Sequence, residues 1–349
     1  MIKRRLLFLY FFCSIFILSF LLIPQNTFAS NEISINAAGA VLIEKSTGRI
    51  LFSKNKDTQM PMASCTKIVT AITVIDNTDL NNMISIPKQA VGIEGSSIYL
   101  KEGELLTVKE LLYGLMLRSG NDSAVALAIH VGGSLENFAS LMNEKAKSIG
   151  AYNSNFVTPH GLDAKNHYTT PYDLAMITAY ALNDTTFSEI VNSKAAKIGD
   201  KSRGNERILY NKNKLLNNYE FADGVKTGFT KKAGRCFVGS ATKEGMQLIG
   251  VVLNCGQMFE ETQKMLEYGF KNFCLKTVVP KNKIFKINHK DKTLYLKSQN
   301  EINIVLKRDD SEKSLVEFEI DTTNISDPKL KISFAKKLLF SQKLSIIKR

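Results

Sequence analysis

The chain has 349 residues, of which 44% are hydrophobic and 23% charged. That composition excludes an intrinsically disordered polypeptide and supplies a large core, with roughly two domains expected. A formal net charge of +13 points to anionic partners. Without interleaved aromatic and basic residues, envelope polymers or lipid headgroups fit better than nucleic acid.

Lys3-Arg4-Arg5 is followed by a nearly unbroken apolar run from Leu6 to Ile23, then by Pro24 and the small residues around Ala29. Residues 1–30 read as a secretory signal cut near Ala29 or Ser30. The length of the run also suits an uncleaved anchor. Either way the rest of the chain is exported. Cys13 lacks the small residues before it that lipid attachment requires. Cys65, Cys236, Cys255 and Cys274 remain in an exported protein that permits disulfides, with Cys236 and Cys255 on or just after neighbouring strand-like runs. No C-x-x-C pair or Cys/His cluster suggests zinc, and His130, His160, His167 and His289 are scattered.

Ala38–Glu44 and Arg49–Phe52 flank the turn Lys45-Ser46-Thr47-Gly48 and read as a hairpin. The chain turns helical after Ala63, with Ile68, Val69, Ala71, Ile72 and Val74 as an apolar stripe. Ser64 opens this helix and Lys67 lies one turn on, so hydroxyl and amine share a face. A desolvated lysine can deprotonate a serine, and helix-terminal amides favour an oxyanion. Taken alone, Ser-x-x-Lys is more often an N-cap and a surface lysine. Thr107-x-x-Glu110 is a capping box, and its helix ends at Arg118-Ser119-Gly120-Asn121, a tight link to a second helix that stops at Gly132-Gly133. A third helix runs from Leu135 to Ser148, with Gly150 as its stop.

Thr158-Pro159-His160-Gly161-Leu162-Asp163 is a loop at the rim of a cleft. Thr170-Pro171 then caps another helix. Lys226-Thr227-Gly228 precedes or opens a run of antiparallel strands, Arg235–Ala241 and Leu248–Asn254. Gly228 lets a ligand backbone approach. From about Pro280 four short β-like runs alternate with polar turns. From Leu275 onward there are 17 Lys/Arg against 9 Asp/Glu. The last stretch, Phe334–Arg349, suits a closing strand pair or a basic amphipathic helix, and the small β-domain's need for closing strands favours the former.

The ordered set Ser64-x-x-Lys67, Ser119-Gly120-Asn121 and Lys226-Thr227-Gly228 is far more specific than any one triplet. With the flanks Arg118–Ala124 and Asp223–Thr230, the chain resembles the low-molecular-mass penicillin-binding proteins, the serine D-alanyl-D-alanine carboxypeptidases. The resemblance implies an α/β (α+β) fold: a β-lactamase/transpeptidase-like catalytic domain over residues 31–275, with an antiparallel sheet flanked by helices. A small C-terminal all-β domain with a basic tail would follow over residues 276–349. Cys65 departs from the small or hydroxyl residue usual there, and the basic tail departs from the family's C-terminal membrane helix.

The resemblance further implies that Ser64 attacks the carbonyl between two terminal D-alanines of a peptidoglycan stem peptide. Lys67 takes the serine proton, Ser119 relays a proton to the leaving D-alanine, and Asn121 holds Lys67 or the substrate amide. Lys226 and Thr227, with Gly228 beside them, receive the terminal carboxylate, and the amides of Ser64 and Phe229 hold the oxyanion. Penicillin and other β-lactams would acylate Ser64, and no metal or organic cofactor is needed. The basic C-terminal region would touch a membrane surface or anionic wall polymer. Rivals are a β-lactamase, disfavoured because no convincing Glu-x-x-x-Asn motif lies between Asn121 and Lys226, a DD-endopeptidase on the same fold, and a non-catalytic wall-binding protein.

Overall fold

A computed structural model describes residues 33–289, 292–309 and 311–347. The expected signal segment and Cys13 lie outside these residues. The hairpin at the start of the described chain forms strands β1 (Gly39–Glu44) and β2 (Ile50–Lys54). Its turn is held by the Glu44 carboxylate, which accepts from the backbone N–H groups of Ser46 and Thr47.

A 3-10 turn over Ala63–Thr66 leads into α1 (Lys67–Ile75). The sequence suggests an apolar stripe, yet residues 67–74 of α1 are all buried. This is a central helix wrapped by others, so even its lysine and threonines are inside. Each fully buried aliphatic side chain here contributes about 1.5–3 kcal/mol. Short strands β3 (Met83–Ser85) and β4 (Leu105–Thr107) pair before α2 (Val108–Leu117), whose N-terminus carries the expected capping box of Thr107 and Glu110. Next come α3 (Asn121–Gly132) and α4 (Leu135–Ile149), ended by Gly133 and Gly150 in the left-handed conformation. Helix α5 (Pro171–Ala181) starts as expected from the Thr170 cap and Pro171, and α6 (Thr185–Asn192) follows.

A second small hairpin, β5 (Ala195–Ile198) with β6 (Arg207–Tyr210), and the one-turn α7 (Leu215–Asn218) lead to the main sheet strands. These are β7 (Ala222–Thr230), β8 (Gly234–Lys243) and β9 (Met246–Leu253), and the antiparallel order is β2-β1-β9-β8-β7. Helix α8 (Met258–Asn272) covers one face, close enough that a Cβ on Gly239 would meet the Thr262 side chain at 2.8 Å. On the other face Val191 of α6 sits 2.9 Å from the position a Gly224 Cβ would take. Lys226-Thr227-Gly228 lies inside β7, the strand that opens this antiparallel run, on the edge strand facing the helical layer.

The C-terminal region is all β. Strands β10 (Phe273–Val279) and β13 (Ile302–Lys307) pair, and β11 (Ile284–His289), β12 (Lys292–Ser298), β14 (Val316–Asp321), β15 (Lys329–Phe334) and β16 (Lys337–Ile347) form a sheet of order β11-β12-β16-β15-β14. The last described stretch is thus a strand. It occupies the middle of its sheet and joins two hairpins. Arg49, in the turn before β2, ties this region to the main sheet. It donates to the Val305 carbonyl, pairs with both oxygens of Glu312 at 2.7 and 2.8 Å, and lies over the rings of Phe273 and Phe334.

Candidate active site

Ser64 follows directly on a tight turn of the chain. Ala63 adopts a left-handed φ of +49°, a conformation non-glycine residues seldom take. Gly161 makes that turn possible, because a Cβ there would lie 2.0 Å from the Ala63 carbonyl oxygen. The Thr66 hydroxyl donates to the same oxygen at 2.8 Å and contacts His167 Nε2 at 2.9 Å. His167 Nδ1 accepts from the Val157 N–H at 2.9 Å, which leaves the ring proton on Nε2 for Thr66. Burial pushes the His167 pKa down to about 4, so this imidazole is neutral.

Lys67 is completely buried. Its Nζ lies 3.0 Å from Ser64 Oγ, 2.7 Å from Asn121 Oδ1 and 2.6 Å from the His160 carbonyl oxygen. Burial first, then the charges of Lys226 and Lys212, hold its pKa well below the usual lysine value. A neutral amine has two N–H groups and one lone pair. Asn121 Oδ1 and the His160 carbonyl can only accept, so they take the two hydrogens and leave the lone pair for the Ser64 hydroxyl. The Asn121 amide is fixed in that sense because its Nδ2 donates to the Glu94 carbonyl at 2.5 Å.

The other expected residues converge on the same place. Ser119, in the α2–α3 connection with φ +62°, is buried and lines the cleft. Among the described residues its hydroxyl has no protein partner, which leaves it free for a ligand. Lys226 is buried and donates to the Thr227 carbonyl at 2.9 Å, with burial bringing its pKa down to about 7. Thr227, Gly228 and Phe229 line the cleft beside Ser64. A Cβ on Gly228 would lie 2.9 Å from the Met62 carbonyl oxygen and 3.0 Å from the Ser64 nitrogen, so only glycine lets β7 run against the backbone of Ser64. Cys65 points into the core, its Sγ 3.7 Å from the Lys226 carbonyl, and burial pushes the thiol pKa far up. It behaves as a small apolar residue. Cys65, Cys236, Cys255 and Cys274 are all free thiols.

Four contributors escape a reading of the sequence. The His160 carbonyl comes from a loop placed only at the cleft rim. His167 meets Thr66 across 101 residues of sequence, and nothing local marks it. Asp122, next to Asn121, is a buried carboxylate that accepts from Ser97 Oγ at 2.5 Å and from the amides of Ile98 and Leu100 at 3.0 and 3.2 Å. Lys212 donates to Ser96 Oγ at 2.8 Å at the cleft. The cleft has a volume of about 760 Å³, and its charged lining residues, Arg118, Lys212, Lys214 and Arg235, are all cations.

This arrangement can activate a serine hydroxyl without metal-ligand chemistry and can receive an anionic ligand. Residues 25–257 match the model of the peptidase S11 family, D-alanyl-D-alanine carboxypeptidase. The chain is 32% identical over 296 residues to D-alanyl-D-alanine carboxypeptidase DacF of Bacillus subtilis, covering 81% of this chain and 76% of DacF. It is 35% identical to DacC of Escherichia coli, covering 71% of this chain and 64% of that one. Among solved structures, penicillin-binding protein 5 of Haemophilus influenzae superposes with a TM-score of 0.75 at 28% identity, over 91% of this chain and 98% of the other. That span takes in the C-terminal β-region as well as the cleft. With its Ser-Lys pair, buried second lysine and fold all accounted for, the chain belongs to the D-alanyl-D-alanine carboxypeptidase family, the penicillin-binding serine hydrolases of peptidoglycan metabolism.

Proposed function

We propose that this protein removes the terminal D-alanine from peptidoglycan stem peptides through an acyl-enzyme on Ser64. The contact set of Lys67 carries the reading: two acceptors that use up its N–H groups, and Ser64 Oγ at 3.0 Å opposite the remaining lone pair. Lys67 takes the hydroxyl proton as Ser64 Oγ bonds to the carbonyl carbon between the two D-alanines. The negative charge on the carbonyl oxygen falls between the backbone amides of Ser64 and Phe229. Ser119 passes the proton to the leaving D-alanine nitrogen, the C–N bond breaks, and water later releases the acyl group from Ser64. Lys226 and Thr227 hold the terminal carboxylate. Asn121 orients Lys67, and Gly228 keeps β7 close to Ser64.

The same reading assigns residues 31–275 to catalysis and 276–349 to a separate β-module. It also has residues 1–30 direct export, with the basic C-terminal strands facing an anionic wall polymer or membrane surface. Lys286, Lys297 and Lys337 on those strands, none with an acidic partner among the described residues, support that orientation.

The test uses purified residues 31–349, a peptide ending in Lys-D-Ala-D-Ala and a Ser64→Ala control. D-alanine release that requires Ser64, together with a lasting penicilloyl mass on the intact protein, is the expected result. Rapid penicillin hydrolysis without peptide cleavage would make the protein a β-lactamase, and cleavage of a cross-linked peptide dimer in preference to the pentapeptide would make it an endopeptidase. Neither release nor adduct would leave a non-catalytic binding protein.

A further inference from the structure

His167 is buried against the Ser64 turn and takes no part in the reaction above. Its ring reaches two other segments at once. Nδ1 accepts from the Val157 N–H at 2.9 Å, just ahead of the His160 carbonyl that holds Lys67. Nε2 lies 2.9 Å from the Thr66 hydroxyl, which donates to the Ala63 carbonyl at 2.8 Å. Ala63 and Thr66 are the two ends of the 3-10 turn that carries Ser64. A hydroxyl has one hydrogen, and Thr66 spends it on Ala63, so Nε2–H is the donor to Thr66. One row of hydrogen bonds thus runs from the Val157 N–H through the imidazole to the Ala63 oxygen. The other polar side chains on this loop tie it to helices instead. Thr70 Oγ1 donates to the Pro159 carbonyl at 2.6 Å, and Asn143 pairs with the carbonyl and N–H of Phe156, both at 2.8 Å. Neither reaches the turn before Lys67.

We propose that His167 is a positioning residue, which sets the separation of Lys67 Nζ and Ser64 Oγ by bridging the two segments that hold them. This rests on the carboxypeptidase reading above, in which the serine proton passes to Lys67. The amine is anchored at 2.6 Å to a carbonyl of the 157–161 loop, whereas the hydroxyl moves with the 63–66 turn. The imidazole is the side chain that hydrogen-bonds both. Without it the loop and the turn are free to shift against each other, and the 3.0 Å contact between base and hydroxyl opens. Proton transfer falls steeply with such a displacement. His167 touches no reacting atom, and the groups that receive the carboxylate lie on β7, so ligand binding that precedes the chemistry is left as it was.

The experiment measures acylation by benzylpenicillin under single-turnover conditions, separating the acylation rate constant from the dissociation constant of the complex that precedes it. His167→Asn keeps an acceptor near the Nδ1 position for Val157 and loses Thr66. His167→Gln places an amide N–H near the Nε2 position for Thr66 and loses Val157. Each is half of the bridge. The acylation constant is expected to fall about tenfold in both and in Thr66→Val, with the dissociation constant unchanged. The His167→Asn/Thr66→Val double variant should be no slower than either single one, because both remove the same link. Thr66→Val is close to isosteric and carries the test by itself should the His167 variants not fold. A wild-type acylation constant in any folded single variant, losses that add in the double variant, or a loss confined to the dissociation constant overturns the positioning role and leaves the carboxypeptidase intact. A wild-type protein that takes no penicilloyl group and releases no D-alanine overturns both.

Discussion

Among the described residues are two five-stranded antiparallel sheets built to different standards. In the main sheet every residue of β1 is buried, and β9 is buried at all but one position, because helices cover both faces. The strand sequences accordingly read as continuous apolar runs, Gly-Ala-Val-Leu-Ile and Leu-Ile-Gly-Val-Val-Leu. The C-terminal sheet packs one face around a small cluster of Val279, Leu296, Ile302, Leu330, Ile332 and Leu344 and leaves the other to solvent, so its strands alternate. Large apolar residues such as Phe318 and Leu338 remain half exposed there. The contrast follows from what each sheet has to hold. The first fixes β7 within van der Waals contact of the Ser64 backbone, where displacements of a fraction of an ångström matter. The second carries no such constraint.

Four substitutions test that division, from the largest effect to the smallest. Lys67→Met keeps the buried volume and removes the base, so acylation by benzylpenicillin is expected to fall roughly a thousandfold with the fold intact. The same residue shapes the pH profile. Burial and the neighbouring lysines hold its pKa below the usual lysine value, so kcat/KM is expected to fall on the acid side as the amine takes up a proton. Above a pH of about 7 Lys226 loses its charge, and KM for a carboxylate-terminated peptide rises. Lys226→Arg should abolish that alkaline rise. A profile flat on both sides would separate these lysines from the chemistry.

Gly228→Ala puts a carbon about 3 Å from three backbone atoms of the nucleophile turn. Backbone cannot yield as a flexible side chain does, so acylation is expected to drop about a hundredfold. A full-rate Gly228→Ala enzyme would show that the main sheet is looser than its packing indicates. Arg49→Ala acts on the seam between the regions. It leaves Glu312 with only the Lys307 N–H as partner in place of its ion pair and removes two cation–ring contacts in a partly buried setting, for a loss of about 2 kcal/mol in thermal or denaturant unfolding. Turnover should stay at the wild-type value. A parallel fall in kcat would mean that the C-terminal region helps to set the cleft.

Much of this was legible in the sequence because the information is local. The Thr107 capping box, the Pro171 helix start, the Gly133 and Gly150 stops and the three motifs each occupy a few consecutive residues with a defined physical role. The alternation of the C-terminal strands was equally plain, and the need for closing strands correctly favoured β16 over a membrane helix. The reading weakened where the cause is distant. Helix α1 reads as carrying an apolar stripe because its Lys67, Thr70 and Thr73 are polar, but tertiary wrapping buries them all. Lys226-Thr227-Gly228 reads as preceding or opening the strands and lies inside the first of them, whose start is hard to place because Gly224 and Gly228 are poor strand formers. Both glycines are there for close approach, one to Ser64 and one to Val191. The backbone carbonyl of His160 left no trace in the sequence, since any residue has one.

The buried amine of Lys67, on the reading proposed above, has a consequence for resistance. A base held by its own contacts and already aimed at Ser64 is in place before anything enters the cleft, and it treats every suitably placed carbonyl alike. The enzyme therefore has no chemical means of telling an antibiotic from its own substrate at the moment of attack. Substitutions that blunt that attack blunt the native reaction with it. Escape from acylating drugs is then open at the periphery of the cleft, through residues that handle parts of a ligand the two molecules do not share.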